Sequence, residues 1–196
     1  MTPINLIKSD LFRYAGNTRL VTFAKKYLSC EGFNYMVWFR LANGYRSGPV
    51  GIVLKQLLRQ KQRSFGIVIP VGCKIGPGFF IGHFGNIVLN ETVVVGSNCN
   101  ISQGVTIGSN EGQAATIGDN VYIGPNVCIV EAVRVGNDVT IGAGSVVTRE
   151  VRAGTTVAGV PAKVISDDIE RGRAGRYITR RWADARGQYD SAGHGI

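Results

Sequence analysis

The chain predicts a mainly β fold: a parallel β-helix over residues 67–166, preceded by a basic α-helical region over 1–66 and followed by a weakly ordered tail over 167–196. Two observations carry this reading. β-Branched aliphatics recur every sixth residue through the middle of the chain, the spacing of a solenoid whose coils stack on one another. Before them, apolar residues recur at helical spacing instead. The glycine usage, 27 of 196 residues, favours turns over long helices.

The repeat has a readable phase. Ile75, Ile81 and Ile87 form one set, Val95, Ile101 and Ile107 a second, Ile117, Ile123 and Ile129 a third, and Val135, Ile141 and Val147 a fourth. Glycine follows eight of these twelve positions and is expected to serve the turn geometry. Four residues after the aliphatic stands a second small or branched residue, as at Cys99, Val105, Val121, Val127, Val133, Val139 and Ser145. Both positions are expected to point inward, where neighbouring coils bury them.

Two breaks interrupt the phase. The step from Ile87 to Val95 is eight residues, and the step from Ile107 to Ile117 is ten. Three six-residue units make one coil of a triangular prism, so both insertions are expected at the same edge, around Asn90-Glu91 and over SNEGQAAT, residues 109–116. Insertions gathered on one edge of a solenoid commonly mark its working face.

The flanks have other periods. Residues 18–29, 31–46 and 50–65 read as helices. In the second, Phe33, Val37, Leu41 and Tyr45 fall on one stripe; in the third, Val53, Leu54, Leu57 and Leu58 share a side, with Lys55, Arg59, Lys61 and Arg63 elsewhere. The tail carries a helical pattern around 176–186.

Charge is partitioned along the chain. Residues 1–66 hold eleven Lys/Arg against two acids, so most of the net +9 lies in the first third. Such a region attracts anionic partners or is simply a soluble face. The start, MTPINLIKSD, carries Lys8 and Asp10 where a secretory leader places apolar residues, and the expectation is a cytoplasmic protein. Cys30, Cys73, Cys99 and Cys128 are scattered without a CxxC pair, which argues against a disulfide framework or a zinc ribbon and for buried, reduced thiols.

Few reaction classes survive. Walker loops, HExxH and GxSxG are absent, and one histidine within the repeat is too few for a zinc site on stacked coils. That histidine is His83, in GHFGN. It reads either as a polar turn residue or as a base, since neutral imidazole can accept a proton from a hydroxyl near neutral pH. Glu91, on the shorter break, reads either as a solvated carboxylate or as part of an acceptor site with Asn86.

Residues 31–165 resemble the serine acetyltransferase-like branch of the left-handed β-helix hexapeptide acyltransferases. The resemblance rests on GFNYMVWFRLAN, KIGPGFFIGHFGNIVLNE, NCNISQGVTIG, IGDNVYIGPN, IGAGSVVT and AGVPAKVI, in family order. It implies a left-handed β-helix, a homotrimer or dimer of trimers, acetyl-CoA as co-substrate, and neither a metal nor a nucleic-acid partner. It also implies that His83 is the general base, that Gly108, Gly124, Gly142 and Ala143 lie along the pantetheine arm, and that Lys163 approaches the nucleotide phosphates.

The chain departs from that pattern at some positions. Where the family has acids, Val68 and Gly82 stand here, and the longer insertion ends QAATIG without an Arg-His pair. An amino-acid acceptor needs a cation for its carboxylate. The pattern IGHFGNIV with NISQGVTIG resembles the branch associated with capsule and exopolysaccharide synthesis, and with fewer charges at the site the expected reaction is O-acetylation of a saccharide hydroxyl. The basic helices would then face an anionic glycan or the inner face of the membrane. L-Serine as acceptor, or a non-catalytic oligomeric scaffold, are the alternatives.

Overall fold

The computed structural model describes residues 1–110, 112–167 and 177–183. Four helices come first: α1 (Pro3–Ala15), α2 (Leu20–Ser29), α3 (Glu31–Gly44) and α4 (Gly48–Phe65). Fifteen short strands follow, from β1 (Ile67–Val68) to β15 (Lys163–Ser166).

The strands wind into a three-faced parallel β-helix. One face holds β1, β4 (Ile87–Leu89), β7 (Thr106–Gly108), β10 (Cys128–Val130) and β13 (Val146–Val147). A second holds β2 (Lys74–Ile75), β5 (Val94–Val95), β8 (Thr116–Ile117) and β11 (Arg134–Val135). The third holds β3 (Phe80–Ile81), β6 (Asn100–Ile101), β9 (Tyr122–Ile123), β12 (Thr140–Ile141), β14 (Thr156–Ala158) and the antiparallel β15. The six-residue aliphatics stack in register, Ile81 on Ile101 on Ile123 on Ile141. They are buried together with the second inward set, in which Cys99, Val105, Val121, Val127 and Val139 have no exposed surface.

The first phase break is not where the spacing suggests. Leu89, not Ile87, pairs with Ile107; Ile87 pairs with Ile67. The two extra residues therefore fall between β3 and β4, in Gly82–Asn86, and Asn90-Glu91 is an ordinary corner. The second insertion leaves from the corner between β7 and β8. The two breaks stand at different edges, contrary to the expectation. Both Ile87 and Leu89 are aliphatic and buried, so local pattern does not choose between them; hydrogen bonding to the adjacent coil does.

The glycines after the aliphatics also serve another purpose than the one expected. None of them has a positive φ; those belong to residues such as Gly78, Asn98, Asn120, Gly104 and Asn126. A Cβ at Gly76 would stand 2.6 Å from the Gly96 carbonyl oxygen, and one at Gly96 2.6 Å from that of Gly118. Close approach of successive coils, not turn geometry, requires glycine at these corners.

The helices differ from the sequence reading in three respects. α1 was not expected, although Thr2 caps its first turn by accepting from the Asn5 amide, Pro3 opens it and Gly16 closes it at φ 70°. α3 is buried on nearly every face rather than along one stripe: Tyr35, Met36 and Phe39 are as inaccessible as Phe33, while Tyr45 ends the helix exposed. In α4 only Leu58 of the expected apolar side is fully buried, and Val53 is exposed.

Residues 177–183 form neither helix nor strand and lie against the third face. Asn98 accepts from the Trp182 amide at 2.7 Å and donates to its carbonyl at 3.2 Å; Asn100 donates to the Tyr177 carbonyl at 3.1 Å. Ile178 is buried there. The rest of the expected 176–186 helix lies outside the described residues. Of the four thiols, all unpaired, Cys73 and Cys99 are buried, but Cys30 and Cys128 are only half-buried.

Candidate active site

The His83 loop is held at both ends by the helical region. At its start, the Ile81 amide donates to the Tyr14 hydroxyl at 2.9 Å, and that hydroxyl lies 3.1 Å from the Ile81 carbonyl, to which it donates. Burial pushes the Tyr14 phenol well above its usual range, so it stays a neutral group able to serve both partners. Gly32 of α3 lies against the same strand; a Cβ there would stand 2.6 Å from the Ile81 carbonyl oxygen. At the loop's far end, Gly85 and Asn86 take positive φ, and the Ile87 amide donates to the carbonyl of Gly66, which caps α4. Phe84 meets Phe65 of α4 edge to face.

His83 itself is exposed on this pinned loop. Among the described residues no side chain is hydrogen-bonded or ion-paired to its ring. An imidazole so placed can take a proton from a hydroxyl without first giving up a bond within its own chain.

The corner that carries His83 also carries most of the predicted donor contacts. Because Ile81, Ile101, Ile123 and Ile141 stack, the turns after them form one edge, with Gly82, Ser102, Gly124 and Gly142-Ala143 on successive coils. Gly124 is buried there: a Cβ would stand 2.8 Å from the Ile141 carbonyl oxygen, so packing alone accounts for glycine. Gly142 is tight against Ala158, while Ala143 is exposed along the edge.

The structure separates the remaining candidates from this corner. Glu91 is exposed at the next edge, after β4. Lys163 opens β15, five strand spacings along the third face from β3, roughly 24 Å. Asn86 stays in the His83 loop. Gly108 ends β7 on the first face and faces a groove of about 310 Å³, with Val88 and Val130 along it and Ser109 and Asn110 at its side.

Glu131 borders the same groove and was not singled out by the sequence. It has φ 60°, whereas the other five non-glycine residues with positive φ among the described residues are Asn or Asp. That backbone conformation costs a residue with a full side chain about 1–2 kcal/mol. Its carboxylate accepts from Ser109 Oγ at 2.8 Å and from the Asn110 amide at 3.3 Å. The loop's other end is fastened by Thr92, which accepts from the Ala114 amide through its hydroxyl and from Gln113 through its carbonyl. An acidic residue in a run of Ile, Val and Gly was the available signal.

Comparison with known proteins agrees with this architecture. The family described as bacterial transferase hexapeptide (six repeats) matches residues 114–149. A serine acetyltransferase of Synechococcus elongatus is 35% identical over 142 residues, covering 70% of this chain and 58% of that protein. The chain spans 36% to 58% of the length of two such curated relatives. Among solved structures, serine acetyltransferase from Neisseria gonorrhoeae in complex with serine superposes with a TM-score of 0.72 at 31% identity, over 82% of this chain and 68% of that one. A serine acetyltransferase in complex with CoA superposes at 0.71 and 27% identity, over 83% and 69%. The chain has the left-handed parallel β-helix with N-terminal helices that this likeness implies, and it belongs to the serine acetyltransferase-like family of hexapeptide-repeat proteins.

Proposed function

We propose that the protein is an acetyl-CoA-dependent O-acetyltransferase with His83 as its general base. The carrying observation is the exposed imidazole on a loop pinned at both ends, at the edge that also presents Ala143. In the reaction His83 takes the proton of the acceptor hydroxyl as its oxygen attacks the thioester carbonyl. The tetrahedral intermediate collapses to the acetyl ester, and the imidazolium returns its proton to the departing CoA thiolate. Backbone N–H groups are the natural donors to the oxyanion.

For the acceptor, the relatives named above favour L-serine over the saccharide expected from the sequence. The saccharide reading keeps one feature of the sequence in its favour: Val68 and Gly82 stand where the family has acids, and the longer insertion lacks the Arg-His pair that would offer a cation to a carboxylate. A thiol-release assay with acetyl-CoA across L-serine, sugar nucleotides and neutral oligosaccharides decides between them. Release accelerated by serine alone selects the first, release accelerated only by sugars the second, and no release with any acceptor removes the enzymatic reading and leaves the scaffold.

Assembly as a homotrimer or a dimer of trimers accompanies this proposal. It is supported by the adjacent, exposed Val68 and Val88 on the first face, an apolar surface suited to a second copy. Among the described residues no helix is long and apolar enough to cross a membrane. Contact with the inner face of the membrane is a further part of the proposal, supported by α4, which has no acidic residue and exposes Val50, Ile52 and Val53 beside Arg59 and Arg63. Retained vesicle binding after Lys55, Arg59, Lys61 and Arg63 are neutralised would count against it.

A further inference from the structure

We propose that Glu131 is a positioning residue for acyl-donor binding: its carboxylate holds Ser109 and Asn110 as a fixed wall of the first-face groove, which receives the uncharged pantetheine arm. The inference rests on the acetyl-CoA reading above and on Gly108 lying along the pantetheine arm, and it adds Glu131, Ser109 and Asn110, which that reading does not use.

Three observations meet here. Glu131 sits one coil beyond Gly108, its amide donating to the Gly108 carbonyl at 2.8 Å, so its side chain is well placed to reach back to the following residues. It reaches both Ser109 Oγ and the Asn110 amide. Asn or Asp, which fill the other strained corners, are one methylene shorter. A strained glutamate at a corner where glycine would be relaxed indicates a task beyond the turn.

The second observation is Gly108. A Cβ built on it meets nothing within 4 Å, and its φ is not in the left-handed region. Coil packing explains Gly76, Gly96 and Gly124, but it does not explain Gly108. What the missing side chain keeps open is the groove.

The third is the groove's chemistry. Val88 and Val130 give it an apolar surface; Asn90, Ser109 and Asn110 supply amide and hydroxyl groups. About 310 Å³ lies at the small end of ligand sites. With no Lys or Arg among the described residues that line it, it suits neither phosphate nor carboxylate. A slender, uncharged chain with amides and methylenes fits this surface, and in acetyl-CoA that part is the pantetheine arm.

The test is direct titration of the full chain with CoA, which needs no acceptor and no turnover, alongside thermal denaturation. Glu131→Gly is expected to weaken CoA binding about tenfold while leaving Tm equal or higher. Glu131→Gln, which still accepts from Ser109, is expected to recover most of the affinity. Gly108→Val, whose Cβ meets no heavy atom within 4 Å, is expected to narrow the groove and weaken CoA by at least about tenfold with Tm unchanged. CoA binding of normal strength in Glu131→Gly or in Gly108→Val overturns the inference, as does a loss in Glu131→Gly that tracks a fall in Tm and is not recovered in Glu131→Gln. A wild-type chain that does not bind CoA removes the acetyl-CoA reading itself, and this inference with it.

Discussion

Arg40 of α3 and Asp10 of α1 form a two-pronged ion pair, Nε to Oδ2 at 2.8 Å and Nη2 to Oδ1 at 3.0 Å, with both side chains 1% exposed. The pair does more than join two helices. Arg40 also donates to the carbonyls of Ile75 and Gly76, and Asp10 accepts from the Phe79 amide. It bolts the helical region to the first coil, the coil that carries His83.

Removing one partner leaves the other buried and uncompensated. Arg40→Ala is expected to cost about 3–5 kcal/mol of stability. Urea denaturation followed by circular dichroism measures it, and a change under about 1 kcal/mol would contradict a role for this pair.

His83→Ala is expected to lower kcat by about 10²–10⁴-fold. Since the ring is exposed and is hydrogen-bonded or ion-paired to no described side chain, Tm and CoA affinity should not change. Unreduced turnover in this variant would remove His83 from the mechanism.

The buried thiols give a pH dependence. Burial raises the Cys99 thiol to about 12, and burial, aided by the nearby Glu91 charge, raises Cys73 to about 11. In the unfolded chain both lose their protons near pH ~8.5–9. Below that pH both states hold the protons and stability does not depend on them. Above it the folded chain binds more protons, so stability falls as pH rises from about 9 towards 11–12. Equilibrium unfolding between pH 8 and 10.5 should show the decline, and Cys99→Ala should make it shallower. In the native protein at pH 8, a thiol reagent should modify Cys30 and Cys128 well before the other two.

Asn98 holds the 177–183 segment by both polar atoms of its side chain, and itself sits at φ 57°. Replacing it by glycine keeps the backbone relaxed and removes these bonds together with the packing of a buried side chain. Asn98→Gly is therefore expected to cost about 1–3 kcal/mol and to open residues 177–183 to proteolysis. Unchanged cleavage in that region would show that ring contacts such as Tyr122 with Tyr177 suffice.

Much of the architecture was legible because its cause is periodic. An aliphatic every six residues has no other easy accommodation than a coil with three inward faces, and twelve such positions repeat the message. α2, α3 and α4 end within two residues of the expected limits because Gly and Ser interrupt the pattern there. His83 stood out because it is chemically alone in that run. α1 was overlooked because its signals are caps rather than a period.

By itself, then, the amino-acid order determined the parallel β-helix, the inward ranks of Ile, Val and Cys, and the single imidazole within the repeat. Tertiary structure alone decided that Leu89 rather than Ile87 joins the stack, that the two insertions leave from different edges, and that Glu131 reaches back to Ser109. Periodicity is a local property and survives in a list of residues. Phase across an interruption is set by hydrogen bonds to coils about twenty residues away, and a side chain's reach depends on what the next coil puts beneath it.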